Sequence, residues 1–156
     1  MKERIAELVT SLQLLPHPEG GFYRETYRSP LKNVEDQSLM TSIYFLLTVD
    51  SPSRFHRIKS DEHWYFHEGS PLSIHLLTEN GHETLQLGTE LINNQLPHLL
   101  VKGNTIFGSE VEGSGSYSLV SCAVAPAFDF STFELFSKEE LMKSYPNQSE
   151  VITRLT

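Results

Sequence analysis

The chain has 156 residues, 38% of them hydrophobic and 10% aromatic, which is typical of a globular protein and not of a disordered, collagen-like or coiled-coil one. Twenty acidic residues against twelve Lys and Arg give a formal net charge of −8. This charge repels phosphate backbones, so we expect no nucleic-acid partner. The length fits one domain, residues 1–156, with a sizeable core.

The first predicted element is an N-terminal helix in MKERIAELVTSLQLL. Apolar residues such as Ile5, Leu8 and Leu12 recur at helical spacing with charged residues between them, and the helix should end near Pro16. The segment lacks the uninterrupted apolar core of a signal peptide, and no stretch reaches the ~18 apolar residues of a membrane span. We therefore expect a cytoplasmic protein without a membrane partner.

The centre of the chain has the pattern of short strands. HPEGGFYRETYRSP, at 17–30, is predicted to be a loop that leads into a strand, and the apolar run TSIYFLLTV, at 41–49, a strand covered on both sides. No helical pattern follows before residue 126, which predicts a sandwich or barrel and excludes a parallel α/β fold. Turn signals, among them Gly113–Ser116, separate most of seven further candidate strands: SRFHRI, EHWYFHEG, LSIHLLTE, HETLQLG, PHLLVKG, TIFGSEVEG and YSLVSCAVA.

The C-terminal part changes to a helical pattern. Ser137 is followed three residues later by Glu140, the spacing of a capping box. Phe136 and Leu141 occupy the positions of a hydrophobic staple around that cap. We predict a helix from Ser137 that stops before Pro146, and the last ten residues are either a polar tail or a short packing segment.

The segment SRFHRIKSDEHWYFHEGSP, at 53–71, has the highest density of reactive side chains. Strand alternation places His63 and His67 on the face opposite to Glu62, about 13 Å apart at ~3.3 Å per residue, too far to share one metal ion. We expect His56 to face Glu62 across a hairpin turn, as an acid/base pair in a barrel mouth. The alternative is a His and a Glu on the surface of that hairpin.

Other polar residues are candidates for binding. The run EGGFYR contributes Glu19 and Arg24, the latter able to grip a carboxylate or phosphate at two points unless it is simply solvated. Ser53 is either a hydroxyl donor in the pocket or a turn residue, and Asp129 either supports a pocket residue or forms a turn. The single cysteine, Cys122, lies in an apolar run and is read as a small buried hydrophobe.

The order of several motifs resembles a known family. Glu62 precedes Gly69 by seven positions, as in the first motif of the cupin superfamily, and HPEGGFYRETYRS, SIYFLL, HRIKSDEHWYFHEGSPL and AVAPAFDF occur in sequence. From about Leu14 to Leu141 the chain resembles a small single-domain cupin family formerly catalogued as a domain of unknown function. The resemblance implies an all-β double-stranded β-helix, a jelly-roll barrel of the dTDP-sugar-epimerase type. It also implies a ligand pocket inside the barrel and a homodimer, and the short helices predicted from the spacing at either end would flank that barrel.

The metal ligands of many cupins are incomplete here. Of the usual cupin ligands, the resemblance assigns only His56 and Glu62 in this sequence. The second histidine of the first motif is missing, because neither residue two positions from His56 is a histidine. The histidine of the second motif is also missing from VKGNTIFG, at 101–108. Two ligands rarely suffice for a transition metal, so we expect no cofactor, with a weak divalent site at His56 and Glu62 as the alternative. We do not expect His17 or His75 to approach as a third ligand.

The leading hypothesis is a cupin that binds a small polar, perhaps sugar-like, metabolite through residues that include Arg24 and Trp64. If it is an enzyme, the residues suit epimerase-type proton transfer, with His56 as base and Glu62 or Tyr65 as acid. A non-catalytic ligand-binding or structural homodimer is the first alternative, and a metal-dependent cupin enzyme is the second. The sugar-like ligand rests on the fold resemblance alone.

Overall fold

The computed structural model describes residues 2–113 and 117–156. Two antiparallel sheets carry most of this part of the chain, and short helices flank them at both ends. Three single 3₁₀ turns lie at Leu91–Asn93, Phe130–Thr132 and Pro146–Gln148. The other elements are α1 (Lys2–Ser11), β1 (Leu15–Pro16), β2 (Phe22–Arg28), β3 (Thr41–Thr48), β4 (Ser53–Arg57), β5 (Asp61–Gly69), β6 (Leu72–Thr78), β7 (Gly81–Leu87), β8 (His98–Val101), β9 (Ile106–Val111), β10 (Tyr117–Ala125), β11 (Glu134–Leu135), α2 (Lys138–Ser144) and α3 (Ser149–Arg154).

The order of the strands shows how the barrel is wound. One sheet has the order β1-β2-β3-β10-β5-β8, and the other has the order β11-β4-β9-β6-β7. Consecutive strands often belong to different sheets, as β3 and β4 do, and β5 and β6 do. The chain therefore crosses repeatedly between two facing layers, which fits the expected all-β jelly-roll class.

The core lies between the sheets and is built by strand alternation. Phe45 and Leu47 of β3, Trp64 of β5 and Phe107 of β9 are among its fully buried members. Leu46 points to the other side of β3, where α1 covers it through a cluster that includes Leu8. The expectation that this strand is covered on both sides is confirmed, and the amphipathic N-terminal helix supplies the second cover.

The last residues cover the outer face of the second sheet. One buried cluster contains Val151, Ile152 and Leu155 together with Phe55 of β4 and with side chains of β6 and α2. The packing alternative for the C-terminal residues is thus correct, and the polar-tail alternative is wrong. No helix among the described residues has the length and apolar character needed to cross a bilayer.

The sequence located most strands within a few residues but paired two of them wrongly. β4 pairs with β9 and β11, whereas β5 pairs with β8 and β10, so the predicted hairpin between β4 and β5 does not form.

The predicted capping box at Ser137 is confirmed, because both of its hydrogen bonds are present. The Ser137 hydroxyl accepts from the Glu140 amide, and the Glu140 carboxylate accepts from the Ser137 amide. The predicted turn at 113–116 lies, beyond Gly113, outside the described residues.

The C-terminal cluster makes a test of stability. We expect Ile152→Ala to lower the free energy of unfolding by about 2 to 5 kcal/mol, because it removes a fully buried side chain and leaves a cavity. Chemical denaturation followed by circular dichroism measures the change. Glu150→Ala, two residues earlier in α3 and exposed, is the control and should cause a loss of no more than ~0.5 kcal/mol. Equal stability of the two variants would show that the terminal residues do not pack as described.

Candidate functional site

A cavity of about 350 Å³ opens between the two sheets. Aromatic and aliphatic side chains form much of its wall, and a group of ionisable side chains lies among them. The apolar part of the lining comprises Tyr23, Ile43, Phe45, Ile58, Val124, Phe128 and Phe130, and the polar part comprises His17, Glu19, Glu25, Arg28, Thr41, His56, Glu62, Cys122 and Asp129.

His56 and Glu62 reach this cavity from opposite sheets. His56 lies on β4 beside Phe107 of β9, and Glu62 lies on β5 beside Val124 of β10. Both side chains point inward by strand alternation and are almost completely buried. The two groups are therefore brought together face to face across the barrel, and not side by side on a hairpin.

Glu19 joins them from the loop before β2. Its Oε1 accepts a hydrogen bond of 2.7 Å from the Ser53 hydroxyl, and its Oε2 lies 3.3 Å from Nε2 of His56. The loop turns sharply after it, at Gly20 with φ +116°, where an added Cβ would lie 1.9 Å from the Pro52 carbonyl oxygen. Only glycine fits this approach, so Gly20 fixes the position of the carboxyl.

The hydrogen bonds of His56 determine which of its nitrogens carries a proton. Nδ1 lies 2.7 Å from the carbonyl oxygen of Arg54, which can only accept, so Nδ1 is the protonated nitrogen. The lone pair of Nε2 then faces Glu19. Burial raises the pKa of Glu19 to about 8 and lowers the pKa of His56. At neutral pH the Glu19 carboxyl therefore keeps its proton and donates it to Nε2.

Glu62 is a second carboxyl that titrates near neutrality. Burial is the main reason that its pKa is raised to about 7, and the nearby Glu19 adds to the effect, while His56 opposes it. The Cys122 thiol lies beside it, and burial followed by the two carboxyls raises the pKa of that thiol well above its usual value. The cavity thus holds two proton carriers, the Glu19–His56 pair and Glu62, whose proton affinities differ only modestly.

His17 also lines the cavity, against our expectation. Its Nδ1 lies 3.6 Å from Oε2 of Glu19 and accepts a hydrogen bond from the Glu19 amide. Its ring packs edge-on against Tyr23, with centroids 4.6 Å apart, and burial lowers its pKa to about 4. The expectation failed because His17 arrives on the loop before β2, far in sequence from His56, and its position between two prolines was the only local signal.

Two other predicted binding residues act behind the cavity. Ser53 holds Glu19 in place and does not line the cavity. Trp64 is fully buried in the core, and its indole N–H has no hydrogen-bond partner of ordinary geometry. This N–H nevertheless lies close enough to Glu62 to lower the pKa of that carboxyl. Asp129 does line the cavity, and it also caps a 3₁₀ turn by accepting from the Ser131 amide at 2.8 Å.

The structure places Tyr65 and Arg24 outside the cavity. Tyr65 lies on the outer face of β5, 41% exposed, and stacks on His98, so it is wrongly assigned as the acid. Tyr65 follows Glu62 by three positions, an odd offset, which puts it on the opposite face of the strand. Arg24 is exposed and donates to the Leu12 carbonyl oxygen at 3.2 Å, so its predicted grip on a ligand in the cavity is also wrong.

Three comparisons place the chain among known proteins. Residues 6–136 match the family described as Cupin superfamily (DUF985). The chain belongs to this family. Of the solved structures, protein SO0799 from Shewanella oneidensis is 42% identical with a TM-score of 0.92, over 96% of this chain and 95% of that one. A hypothetical protein from Leishmania major is 37% identical with a TM-score of 0.89, over 97% of each chain.

A more distant relative is the uncharacterized protein YML079W of Saccharomyces cerevisiae, 26% identical over 89% of this chain and 78% of its own length. Family membership and the two antiparallel sheets establish the predicted double-stranded β-helix, and the predicted short terminal helices are present in the structure. The cavity described above is therefore the interior of a cupin barrel.

The described residues of this cupin barrel do not form a complete set of metal ligands. Both ring nitrogens of His56 and Nδ1 of His17 already have partners within the protein. Over residues 2–113 and 117–156, no set of three or more His, Cys, Asp and Glu side chains is arranged to hold an ion. His75 lies on β6, in the same sheet as His56, but it is hydrogen-bonded to Glu110 at 3.0 Å and to His82 and does not line the cavity.

The raised carboxyl pKa values predict how stability depends on pH. Folded Glu19 and Glu62 keep their protons up to about pH 8 and 7, whereas in the unfolded chain both lose them near 4.5. The unfolded state then binds fewer protons, so stability falls as pH rises. The lowered pKa values of His17 and His56 oppose this trend only below about pH 6.5, where unfolded histidines become charged. Between pH 6.5 and 8 we expect Glu19 to cause a loss of up to about 1.4 kcal/mol per pH unit, and Glu62 to add a similar loss only up to about pH 7.

Urea unfolding at several pH values in this window measures the slope. In Glu62→Gln the slope should become shallower, because one of the two titrating carboxyls is gone. Glu79→Gln, at an exposed turn, should keep the slope of the wild type. A slope unchanged by Glu62→Gln would contradict the assignment of Glu62 as a proton-holding group.

Proposed function

We propose that the barrel cavity binds a small polar metabolite of about monosaccharide size and moves a proton on it. The volume of about 350 Å³ is at the lower end of the range of ~300–1,000 Å³ for ligand pockets, which suits a single ring better than a dinucleotide. Aromatic faces such as Phe45 and Phe128 suit the C–H face of a sugar ring, and Glu19, His56 and Glu62 supply directed polar groups.

One observation supports the chemistry: two proton carriers face the same cavity from opposite sheets, and one of them is oriented by a fixed hydrogen bond. With the proton on Glu19, ionised Glu62 takes a proton from a carbon next to a carbonyl group. The C–H bond breaks and an enolate forms. Glu19, oriented by His56, gives its proton to the opposite face of that carbon, which inverts its configuration.

The reverse reaction uses the same groups in exchanged roles. After one turnover Glu62 is protonated, Glu19 is a carboxylate and Nε2 of His56 has a free lone pair. The Glu19 carboxylate is now the base, because burial raises its pKa and lowers that of His56. His56 orients it, in place of the role of base predicted from the sequence, and Glu62 is the acid. Ser53 positions Glu19 through its hydroxyl and does not touch the ligand.

A non-catalytic binding protein is the second candidate. It is favoured by the fact that both nitrogens of His56 are engaged within the protein, which is also the arrangement of a structural histidine. Exchange of substrate hydrogen with solvent separates the candidates, because a protein that only binds causes none.

The proposal is tested with the purified protein in D₂O. Ligands are first found by extraction of copurifying small molecules and by thermal-shift screening of monosaccharides, since binding to the native state raises apparent stability. Deuterium incorporation into each binder is then followed by NMR. We expect His56→Gln and Glu62→Gln each to slow exchange by ~10² or more while the ligand still binds.

Tyr65→Phe is the matched control on the outer face of β5 and should exchange at the rate of the wild type. Binding without exchange in the wild type would support the non-catalytic candidate. Failure of every small polar molecule to bind would refute both. A stoichiometric transition metal in the purified protein, lost in His56→Ala, would instead support the metal-dependent alternative.

We also propose a homodimer in solution. Tyr27, Leu31 and Val34 lie exposed at the end of β2 and in the segment that follows, and apolar groups of this kind in one region of the chain are typical of contact surfaces. Size-exclusion chromatography with light scattering determines the mass. Location in the cytoplasm stays a prediction from the sequence.

A further inference from the structure

The ionisable side chains that line the cavity are mainly acidic. Four carboxyl groups line it, against one basic side chain other than histidine, Arg28, among the described residues. Two of the carboxyls, Glu19 and Glu62, are buried deep in the barrel, and the other two, Glu25 and Asp129, lie on exposed segments. A ligand that enters the barrel therefore meets acidic side chains outside and inside.

Arg28 is already engaged by its own neighbours. Its Nε and Nη2 donate to the two oxygens of Glu25 at 3.1 and 2.9 Å, which is a bidentate pair. Nη2 also donates to the Phe128 carbonyl oxygen at 3.1 Å, and Asp129 adds a further favourable charge. A phosphate or carboxylate on the ligand would have to displace Glu25 to gain a bidentate partner.

The two histidines do not supply the missing positive charge. Nδ1 of His17 accepts a hydrogen bond from the Glu19 amide, and His56 shares a single proton with the Glu19 carboxyl. Both side chains are buried, which favours their neutral forms. An anion inside the barrel would lose its hydration without meeting a free cation, which is a large cost.

We propose that the barrel selects its ligand by charge, admitting uncharged polar molecules and small organic cations and excluding molecules that carry a phosphate or carboxylate group. This inference rests on the proposed function in so far as the ligand occupies this cavity. It adds that sugar phosphates, nucleotide sugars and sugar acids are not the ligands. Aromatic faces around the cavity, such as Tyr23 and Phe45, attract a cation as well as a sugar ring.

The single cysteine allows a test that needs no knowledge of the ligand. Cys122 lines the cavity beside Glu62. Its thiolate attacks the sulfenyl sulfur of a methanethiosulfonate, forms a mixed disulfide and releases methanesulfinate. Reagents of similar size are available with a trimethylammonium, an uncharged or a sulfonate end. Because all three need the same thiolate, the ratio of their rates cancels the pKa of the thiol and reports the potential around it.

The quantity measured at Cys122 is the rate of modification by the cationic reagent divided by the rate for the anionic reagent, normalised to the same ratio for free cysteine. At low ionic strength we expect this normalised ratio to be at least ~10, since potentials of several kT are common in clefts. It should fall towards 1 with added salt. Glu62→Gln should lower it, and Glu79→Gln, on an exposed turn away from the cavity, should leave it unchanged. A second reporter, Ile43→Cys in Cys122→Ser, places the thiol at a half-buried position of the same lining and should give the same order of rates.

The outcomes separate the two proposals. Entry of the anionic reagent as fast as the cationic one, at either reporter, overturns the selection by charge and leaves the proposed function standing. Exclusion of all three reagents from both reporters shows that the cavity is closed to small molecules, which overturns the proposed function and this inference together.

Discussion

The chemistry of the cavity depends on the buried contact between the Glu19 carboxyl and the His56 imidazole. A carboxylate and an imidazolium taken out of water would each lose several kcal/mol of solvation, but a neutral acid bonded to a neutral ring avoids most of that loss. The Arg54 carbonyl oxygen fixes the proton on Nδ1, so the contact uses the lone pair of Nε2. A proton can be shared here without placing a net charge in the core.

The fold supplies the positions that this contact needs. β4 brings His56 from one sheet and β5 brings Glu62 from the other, so neither strand alone determines the distance between the groups. Glu19 comes from a third segment, whose sharp turn at Gly20 lies against Pro52, one residue before β4. The loop and the strand are also joined by the hydrogen bond from the Arg54 amide to the Glu19 carbonyl oxygen. Backbone and side chain thus hold Glu19 against the same strand.

Local patterns in the sequence predicted most of the fold because the elements are regular. The capping box at Ser137 is a contact between neighbours, and the strands from 53 to 125 show apolar runs with Gly-containing turns. Strand pairing in a jelly roll is not local, which is why β4 and β5 were joined as a hairpin although they lie in opposite sheets. His56 and Glu62 were found because they belong to one dense segment. His17 was missed because only the tertiary fold brings its loop to the cavity.

The end of the chain is joined mechanically to the strand that carries the imidazole. The Leu155 carbonyl oxygen accepts a hydrogen bond of 2.9 Å from the Phe55 amide, one residue before His56, and the side chains of both residues share a cluster. Detachment of α3 from the barrel would therefore loosen β4 as well. Substitutions that weaken the packing of α3 would therefore shift the ring of His56, although α3 itself is remote from the cavity.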